Sequence, residues 1–149
     1  MIVPGSINPL LLTSAAAAGG FQVSRSLRYN APDSSYLSKN FSVSGNRKTW
    51  TWCAWVKRSA LGATASTQRI FSSGSYGTYI RFVDTRDYIQ FESGTSGATL
   101  NVITNQVFRD TAAWFHLLIS LDTTQATASD RVKIWVNGSQ VTSFLASSY

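Results

Sequence analysis

The chain has 149 residues, a formal net charge of +6, and charged and aromatic residues in equal shares of 13%. A chain of this length is expected to form one domain whose core folds without disulfides. Cys53 is its single cysteine, which excludes an intramolecular disulfide and a cysteine-based zinc site made by this chain alone. Because free cysteines are usually buried, we expect Cys53 to be an unreactive core or sheet residue.

The positive charge is concentrated in the first half of the chain. Residues 1–69 have a net charge of +7, with Asp33 as their one acid, and residues 70–149 have a net charge of −1. Such an excess can attract nucleic acid, anionic glycans or an acidic protein. The basic residues come in isolated pairs without a nucleic-acid-binding motif. We therefore interpret them as a solvated basic face and expect no nucleic-acid partner.

The segment 1–24 carries no charge and is interrupted by two prolines before an alanine run and a Gly-Gly pair. No Lys or Arg precedes its apolar run, so a secretory signal is not expected, and the run is too short to insert across a membrane. We predict an irregular N-terminal anchoring arm that ends in a flexible joint. A partner should bury its apolar cluster, which consists of Leu10, Leu11 and Leu12.

From residue 49 onwards the hydrophobic residues recur with a period of two. Successive side chains of a strand point to opposite faces. In the stretch TWTWCAWVKR one set should face the core, namely Trp50, Trp52, Ala54 and Val56. The opposite set includes Trp55.

The segments TYIRFVD and YIQFES predict a β-hairpin around residues 84–87. Asp84 and Asp87 lie in its turn, where they should cap backbone amides or face water. The alternating apolar residues should point to one side, and these are Ile80, Phe82, Ile89 and Phe91.

Two later segments alternate in the same way and are joined to a clear turn signal. Their predicted inward residues are Phe115, Leu117, Ile119 and Leu121 in the first, and Val132, Ile134 and Val136 in the second. The Asn137-Gly138 pair after the second segment is a strong hairpin signal. Repeated short strands with polar turns predict an all-β antiparallel β-sandwich or jelly roll over residues 25–149.

Three stretches of the chain share the order and spacing of one family. They are SLRYNAPDSSYLS at residues 26–38, TWTWCAWVKR at residues 49–58, and WFHLLISLD followed by VKIWVNGSQV. Together they resemble the concanavalin A-like lectin/glucanase superfamily, in particular its laminin-G-like jelly rolls. The positions that match the family pattern are Leu27, Tyr29, Ala54–Lys57, Trp114, His116, Asp122 and Val132–Gly138.

The chain also resembles bacteriophage tail-fibre and other virion-associated proteins in four short stretches, PGSINPLLL, SLRYN, GNRKTWTW and WVKR. This resemblance implies a virion protein, assembled in the host cytoplasm, that attaches to host-surface glycans. It further implies a homo-oligomer, with a trimer as the expected form, whose arm docks to other virion proteins. Two alternatives stay open: a purely structural scaffold or decoration module of the virion, and a non-viral carbohydrate-binding module.

A catalytic function is not expected, although glucanases share the fold that the resemblance implies. Glycosidases need two carboxyl groups roughly 5–9.5 Å apart, whereas this chain has one glutamate, Glu92, and lacks a Glu-x-Asp-x-x-Glu strand. His116, the one histidine, is expected to be structural. No cofactor is expected; the resemblance allows a calcium ion, but seven scattered acids assign no ligand set.

Trp55 and Tyr79 are the candidate residues for stacking against a sugar ring. Alternation places each of them opposite the core residues of its strand, and an exposed aromatic ring offers a flat apolar surface. The alternative is that they cover a sheet face or a subunit contact. The remaining tryptophans are predicted to be packing or interface residues: Trp50, Trp52, Trp114 and Trp135.

The position of Tyr149 raises one further expectation. Members of the family that the chain resembles usually continue beyond the Asn-Gly hairpin to a closing strand. We therefore expect the strand around Leu27–Tyr29 to lack a partner within this chain. Either a longer polypeptide or a neighbouring chain should supply the missing strand.

Overall fold

The computed structural model describes residues 31–33, 36, 38, 40, 42–58, 61, 68–73, 77–83, 86–95 and 98–149. It divides the chain into two compact units, residues 1–43 and 44–149. The 3-10 turn Ala31–Asp33 lies in the first unit, and the strands of the described part lie in the second. The predicted arm with Leu10, Leu11 and Leu12, and the predicted strand around Leu27–Tyr29, fall outside the described residues. The boundary between residues 24 and 25 therefore stays a prediction.

The strands of the described part form two antiparallel sheets. Their bounds are β1 Thr49–Lys57, β2 Gln68–Ser73, β3 Thr78–Phe82, β4 Tyr88–Thr95, β5 Ala98–Val107, β6 Trp114–Asp122, β7 Val132–Val136, β8 Ser139–Gln140 and β9 Phe144–Ser148. The four-stranded sheet has the order β1-β6-β7-β8, and the five-stranded sheet has the order β2-β3-β4-β5-β9. A second 3-10 turn, Ala128–Asp130, lies between β6 and β7. The predicted all-β antiparallel fold is confirmed.

The core lies between the two sheets and takes one face of each long strand. The four-stranded sheet contributes Val56, Phe115, Leu117, Ile119, Leu121, Val132, Ile134 and Val136 to it. The five-stranded sheet contributes Ile80, Phe82, Ile89, Phe91 and Val102. Each such side chain stabilises the fold by about 1.5–3 kcal/mol relative to leaving it exposed. The inward sets predicted from alternation are thus confirmed.

Trp50 and Trp52 join the core as half-buried residues at one end of β1. The Trp50 ring meets the Phe91 ring edge-on, with 5.9 Å between the ring centroids. Trp52 contacts Phe71 on β2, with 6.3 Å between the centroids. Two of the three tryptophans of TWTWCAWVKR therefore connect the sheets, as predicted for packing residues.

The β7–β8 hairpin has the turn that its sequence predicts. Asn137 and Gly138 have φ angles of 51° and 81°, and two adjacent residues with positive φ are typical of the type I′ turn that Asn-Gly favours. The turn brings Val136 opposite Ser139 and Trp135 opposite Gln140. The Asn137 side-chain oxygen also accepts a hydrogen bond of 2.8 Å from the backbone nitrogen of His116.

Asp87 corrects the expectation for the β3–β4 turn. The hairpin forms as predicted, with Ile80 opposite Phe91 and Phe82 opposite Ile89, but Asp87 is buried instead of facing water. Its carboxylate accepts a bond of 2.7 Å from Arg58, whose side chain is 1% exposed, and one of 3.1 Å from Arg109. The sequence pattern missed this because the guanidinium partner follows β1, far away along the chain.

The Arg58–Asp87 pair connects the two sheets, since Arg58 follows β1 and Asp87 precedes β4. Arg58 also donates to the carbonyl oxygen of Phe108 at 3.1 Å and to the side chain of Gln68 at 3.1 Å. Its guanidinium carbon lies 4.3 Å from the centroid of the Phe82 ring. A buried charge held by this many partners is costly to expose or to leave unpaired.

Cys53 corrects a second expectation, because its side chain is exposed. It is a sheet residue, as predicted, but it lies on the outer set of β1 between Thr51 and Trp55. The usual burial of cysteines did not predict this exposure, whereas alternation alone places residue 53 opposite the core positions.

At the other end of the chain, β9 pairs with β5 through Asn101–Ser148 and neighbouring pairs.

Candidate functional site

The outer side of the four-stranded sheet carries the most exposed large aromatic residues of the described strands. We call it the aromatic face and define it by Trp55, Trp114, His116, Leu118 and Trp135. All five alternate with core residues along β1, β6 and β7, so they point away from the core. The aromatic face is therefore an apolar part of a sheet side that would ordinarily be polar.

Trp55 and Trp114 are the exposed centre of the aromatic face. Their residues are 66% and 61% exposed. Trp55 lies opposite His116 in the β1–β6 pairing, and Trp114 lies opposite Lys57. The two tryptophans are thus diagonal neighbours, a separation of about 7–8 Å between backbone positions that large side chains can bridge.

His116 supports Trp55 from the neighbouring strand. Their ring centroids are 5.4 Å apart and the rings meet edge-on at 62°, a favourable arrangement for an aromatic pair. The backbone of His116 is fixed in turn by Asn137, which donates its backbone N–H to the His116 carbonyl oxygen at 2.9 Å. Trp55 therefore stands on a supported strand and not on a loop.

A second row of the aromatic face is less exposed. Leu118 lies opposite Cys53 on one side and opposite Trp135 on the other, and Leu118 and Trp135 are half-buried. Trp135 in turn lies opposite Gln140. This row continues the apolar surface from Trp55 towards the β8 edge of the sheet.

Tyr79, the second predicted stacking residue, lies on the outer side of the other sheet. Ile80 and Phe82 of the same strand enter the core, so Tyr79 and Trp55 point in opposite directions. The structure does not bring the two candidate residues together, and one sugar unit cannot contact both.

The Tyr79 side chain is engaged within a polar network. Its hydroxyl donates to Glu92, its cross-strand partner on β4. The guanidinium carbons of Arg69 and Arg81 lie 5.4 and 5.1 Å from its ring centroid. Burial, the hydrogen bond to Glu92 and the charge of that carboxylate raise the pKa of Tyr79 to about 12, with both arginines acting in the opposite direction.

Trp114, which the sequence predicts to be a packing or interface residue, has an exposed side chain. It is the first residue of β6 and lies opposite Lys57. Its side chain points to the outer side of the sheet, which accounts for its high exposure. The signal was present in WFHLLISLD, where Trp114 alternates with Phe115. Its assignment as an interface residue stays a prediction.

A shallow groove borders the aromatic face at its β8 end. It has a volume of about 570 Å³ and lies between the end of β5 and the β8–β9 connection. Its lining is uncharged: Asn105, Gln106, Val136, Asn137, Ser139, Gln140, Val141, Thr142 and Ser143. Gln140 links the groove to Trp135, its cross-strand partner.

Within the described residues, no three His, Cys, Asp or Glu side chains lie together in a way that could hold a metal ion. Asp122 illustrates how a loop carboxylate is used instead. Its carboxylate accepts hydrogen bonds from the Thr124 hydroxyl, the Gln125 side chain and the Thr124 backbone. These bonds lower the pKa of Asp122.

The described part also contains no helix of the length and apolar character needed to cross a membrane.

Comparison with known families gives a match over most of the chain. The family model Laminin_G_3, of the concanavalin A-like lectin/glucanases superfamily, matches residues 31–148. The chain belongs to this family. A search of the curated proteins and a search of the solved structures found no match to the chain. The Laminin_G_3 assignment confirms the resemblance to the concanavalin A-like superfamily over residues 31–148 and agrees with the two-sheet architecture.

The Laminin_G_3 match covers the aromatic face, the groove and the polar network around Tyr79. It establishes a lectin/glucanase-type domain, and it leaves open which of these surfaces binds a ligand, since a fold hosts many functions.

Proposed function

We propose that this domain recognises glycans, and that the protein is a virion component of the bacteriophage tail-fibre kind that uses the domain to attach to the host surface. The sugar would lie on the aromatic face. The exposure of both Trp55 and Trp114 on one side of one sheet carries this proposal. Monomeric proteins rarely leave such apolar surface exposed without a binding function.

The chemistry of the aromatic face suits a sugar. Two neighbouring indole rings offer flat apolar surface to the C–H side of a pyranose ring. Polar groups beside them can hydrogen-bond the hydroxyls: Lys57 opposite Trp114, and Gln140 opposite Trp135. Tyr79 stays a candidate for a separate contact, although its hydroxyl and ring are already engaged.

The virion assignment has its support in the sequence. The stretches PGSINPLLL, SLRYN, GNRKTWTW and WVKR are similar to tail-fibre proteins. The proposal includes a virion location, a homotrimer, and docking of residues 1–24 to other virion proteins through Leu10, Leu11 and Leu12. It includes neither nucleic-acid binding nor membrane insertion.

We further propose that the domain is not catalytic. Glu92 accepts hydrogen bonds from Tyr79 and from Gln90, which lies at 3.2 Å. Asp87 is committed to Arg58 and Arg109. Five residues of extended chain separate Asp87 from Glu92, roughly 16 Å at about 3.3 Å per residue, which supports the absence of a glycosidase pair. No cofactor is part of the proposal, and a calcium ion has no assigned ligands.

The test is a glycan array with the full 149-residue chain, followed by a titration with each glycan that binds. Trp55→Ala and Trp114→Ala should each weaken binding about tenfold or more, since loss of a central aromatic contact costs roughly 2 kcal/mol. Leu145→Ala is the control, because Leu145 is an exposed apolar residue on β9 of the five-stranded sheet and so lies outside the aromatic face. No binding to any glycan, or equal losses in all three variants, would contradict the proposal.

A second candidate function uses the same surface as a protein contact in a virion scaffold. The half-buried Leu118 and Trp135 extend the exposed tryptophans into a continuous apolar strip, as in the core of a protein interface. The mass of the wild-type chain and of the Trp55→Ala, Trp114→Ala double variant, measured by light scattering after gel filtration, separates the two. Loss of an oligomer in the double variant favours the scaffold, and an unchanged mass favours glycan recognition.

A further inference from the structure

The outer side of the five-stranded sheet places two positive charges directly opposite each other. Arg69 on β2 and Arg81 on β3 are cross-strand partners, and such partners share a face with about 4.5–5.5 Å between their Cβ atoms. Arg81 alternates with the core residues Ile80 and Phe82, so this shared face points outward. Like charges in this position are destabilising by themselves.

The surroundings neutralise this arginine pair only in part. Neither guanidinium forms an ion pair with a carboxylate of the described residues. Glu92 lies opposite Tyr79 on the same side of the sheet, and it accepts hydrogen bonds from Tyr79 and Gln90. Two guanidinium groups against one carboxylate leave a net positive charge on this part of the sheet.

Neighbouring side chains nevertheless hold both guanidinium groups in place. Both lie over the ring of Tyr79, at 5.4 Å for Arg69 and 5.1 Å for Arg81. The Arg81 Nε atom donates to Gln90 at 2.6 Å. Gln90 is 5% exposed and is itself fixed by a 2.9 Å bond to Asn101. The ordering entropy of a flexible arginine is therefore lost before any ligand arrives.

The donors that remain suit an oxyanion. The hydrogen bond to Gln90 uses Nε of Arg81, and its two terminal nitrogens have no partner in the described residues. Arg69 makes one long contact, 3.5 Å, to the Ser72 hydroxyl. Guanidinium groups bind carboxylate, sulfate and phosphate through paired N–H donors, and such bonds are roughly twice as strong as neutral ones.

We propose that Arg69 and Arg81 form a binding site for an oxyanion, namely a carboxylate, sulfate or phosphate group of a ligand that contacts the outer side of the five-stranded sheet. The bound anion offsets the repulsion between the two guanidinium groups. The site lies on the opposite side of the sandwich from the aromatic face and does not depend on glycan binding there.

The test follows the Arg Nε–H and Tyr79 ring signals of the full chain by NMR. Sodium sulfate, sodium phosphate and sodium glucuronate are titrated separately, with sodium chloride adjusted to keep the ionic strength constant. Glucose is the uncharged counterpart of glucuronate. We expect saturable shifts with at least one of the three anions and none with glucose. Binding of glucuronate would assign the site to the acid group of a sugar, and binding of sulfate or phosphate alone would assign it to the inorganic anion or its esters.

Two variants of equal charge make the assignment specific. Arg69→Gln should weaken binding about tenfold, as expected for a lost charge-assisted hydrogen bond. Arg47→Gln removes the same charge from an exposed position before β1 and should leave binding unchanged. At low ionic strength without oxyanion, Arg69→Gln should melt at or above the wild-type temperature. Shifts that do not saturate, equal shifts with glucose, or equal binding by the two variants would overturn the proposal.

Discussion

The outer sides of the two sheets have the same strand geometry but carry side chains of different chemistry. Both consist of side chains that alternate with core residues. On the five-stranded sheet, Tyr79, Gln90 and Glu92 are cross-linked by hydrogen bonds. On the four-stranded sheet, Trp55 and Trp114 remain mostly exposed. An outer aromatic residue can therefore be a structural member of a network or a free surface, and its neighbours decide which.

The two sheets belong to one sandwich, and the Arg58–Asp87 pair is a polar contact between them. Of the contacts described, we expect its loss to destabilise the fold most. Asp87→Asn leaves the guanidinium of Arg58 buried without a counter-charge, so we expect a loss of about 3–5 kcal/mol in the free energy of unfolding. Arg109→Gln removes the second partner of Asp87. Because the Arg109 side chain is 66% exposed, this change should cost less than about 1 kcal/mol. Urea unfolding at pH 7 measures both. Similar losses in the two variants would contradict the assignment of Arg58 as the main partner.

The contrast between the two outer aromatic residues is tested by matched substitutions to threonine, which favours strands. Tyr79→Thr leaves Glu92 without its hydroxyl donor and should cost about 1–3 kcal/mol. Trp55→Thr removes an exposed side chain and should change the free energy of unfolding by about 0.5 kcal/mol or less. Urea unfolding of both variants decides. An equal loss would make Trp55 a structural residue and weaken the case for a ligand there.

The raised pKa of Tyr79 predicts a loss of stability in alkaline solution. The tyrosine pKa is about 12 in the folded chain, against a usual value of 10.0. The folded state therefore keeps the phenolic proton between pH 10 and 12 while the unfolded chain releases it. Stability from this group is complete below pH 10 and falls as the pH rises towards 12. Tyr79→Phe should remove this part of the decline, as measured by the difference between the unfolding free energies of variant and wild type at each pH.

The smallest expected effect concerns Cys53, which reports on access to the aromatic face. Cys53→Ser should change the free energy of unfolding by less than about 0.5 kcal/mol, because the side chain is exposed. In the native wild-type chain, a thiol-reactive reagent should modify Cys53 without prior unfolding. Protection that disappears on dilution would instead indicate that a second copy of the chain covers this sheet.

Alternation predicted the core well because it is a local property. Phe115, Leu117 and Ile119 could be assigned inward from WFHLLISLD alone, and the Asn137-Gly138 turn from two residues. The burial of Asp87 could not be predicted in this way. It depends on Arg58 and Arg109, which meet it only after both sheets have formed.

The candidate site was predictable in part for the same reason. The outward direction of Trp55 followed from its strand, whereas the engagement of Tyr79 depends on the register that places it opposite Glu92. Register fixes which outer side chains meet, and it is set by turns and bulges as well as by the hydrophobic pattern. The bulge between Arg69 and Phe71 is an example that no alternation rule indicated.

The pairing of β1 with β6 has a consequence for the order in which the chain is made. Thr49 pairs with Asp122 and Lys57 with Trp114, so β1 leaves the ribosome before its partner has been synthesised. At about 5–20 residues per second, the wait for β6 amounts to several seconds. During that interval Trp50, Trp52 and Trp55 have no sheet to join, and pairing over such a distance also folds slowly once it is possible. We expect newly made chains to need protection from aggregation at this strand, whichever surface later binds a ligand.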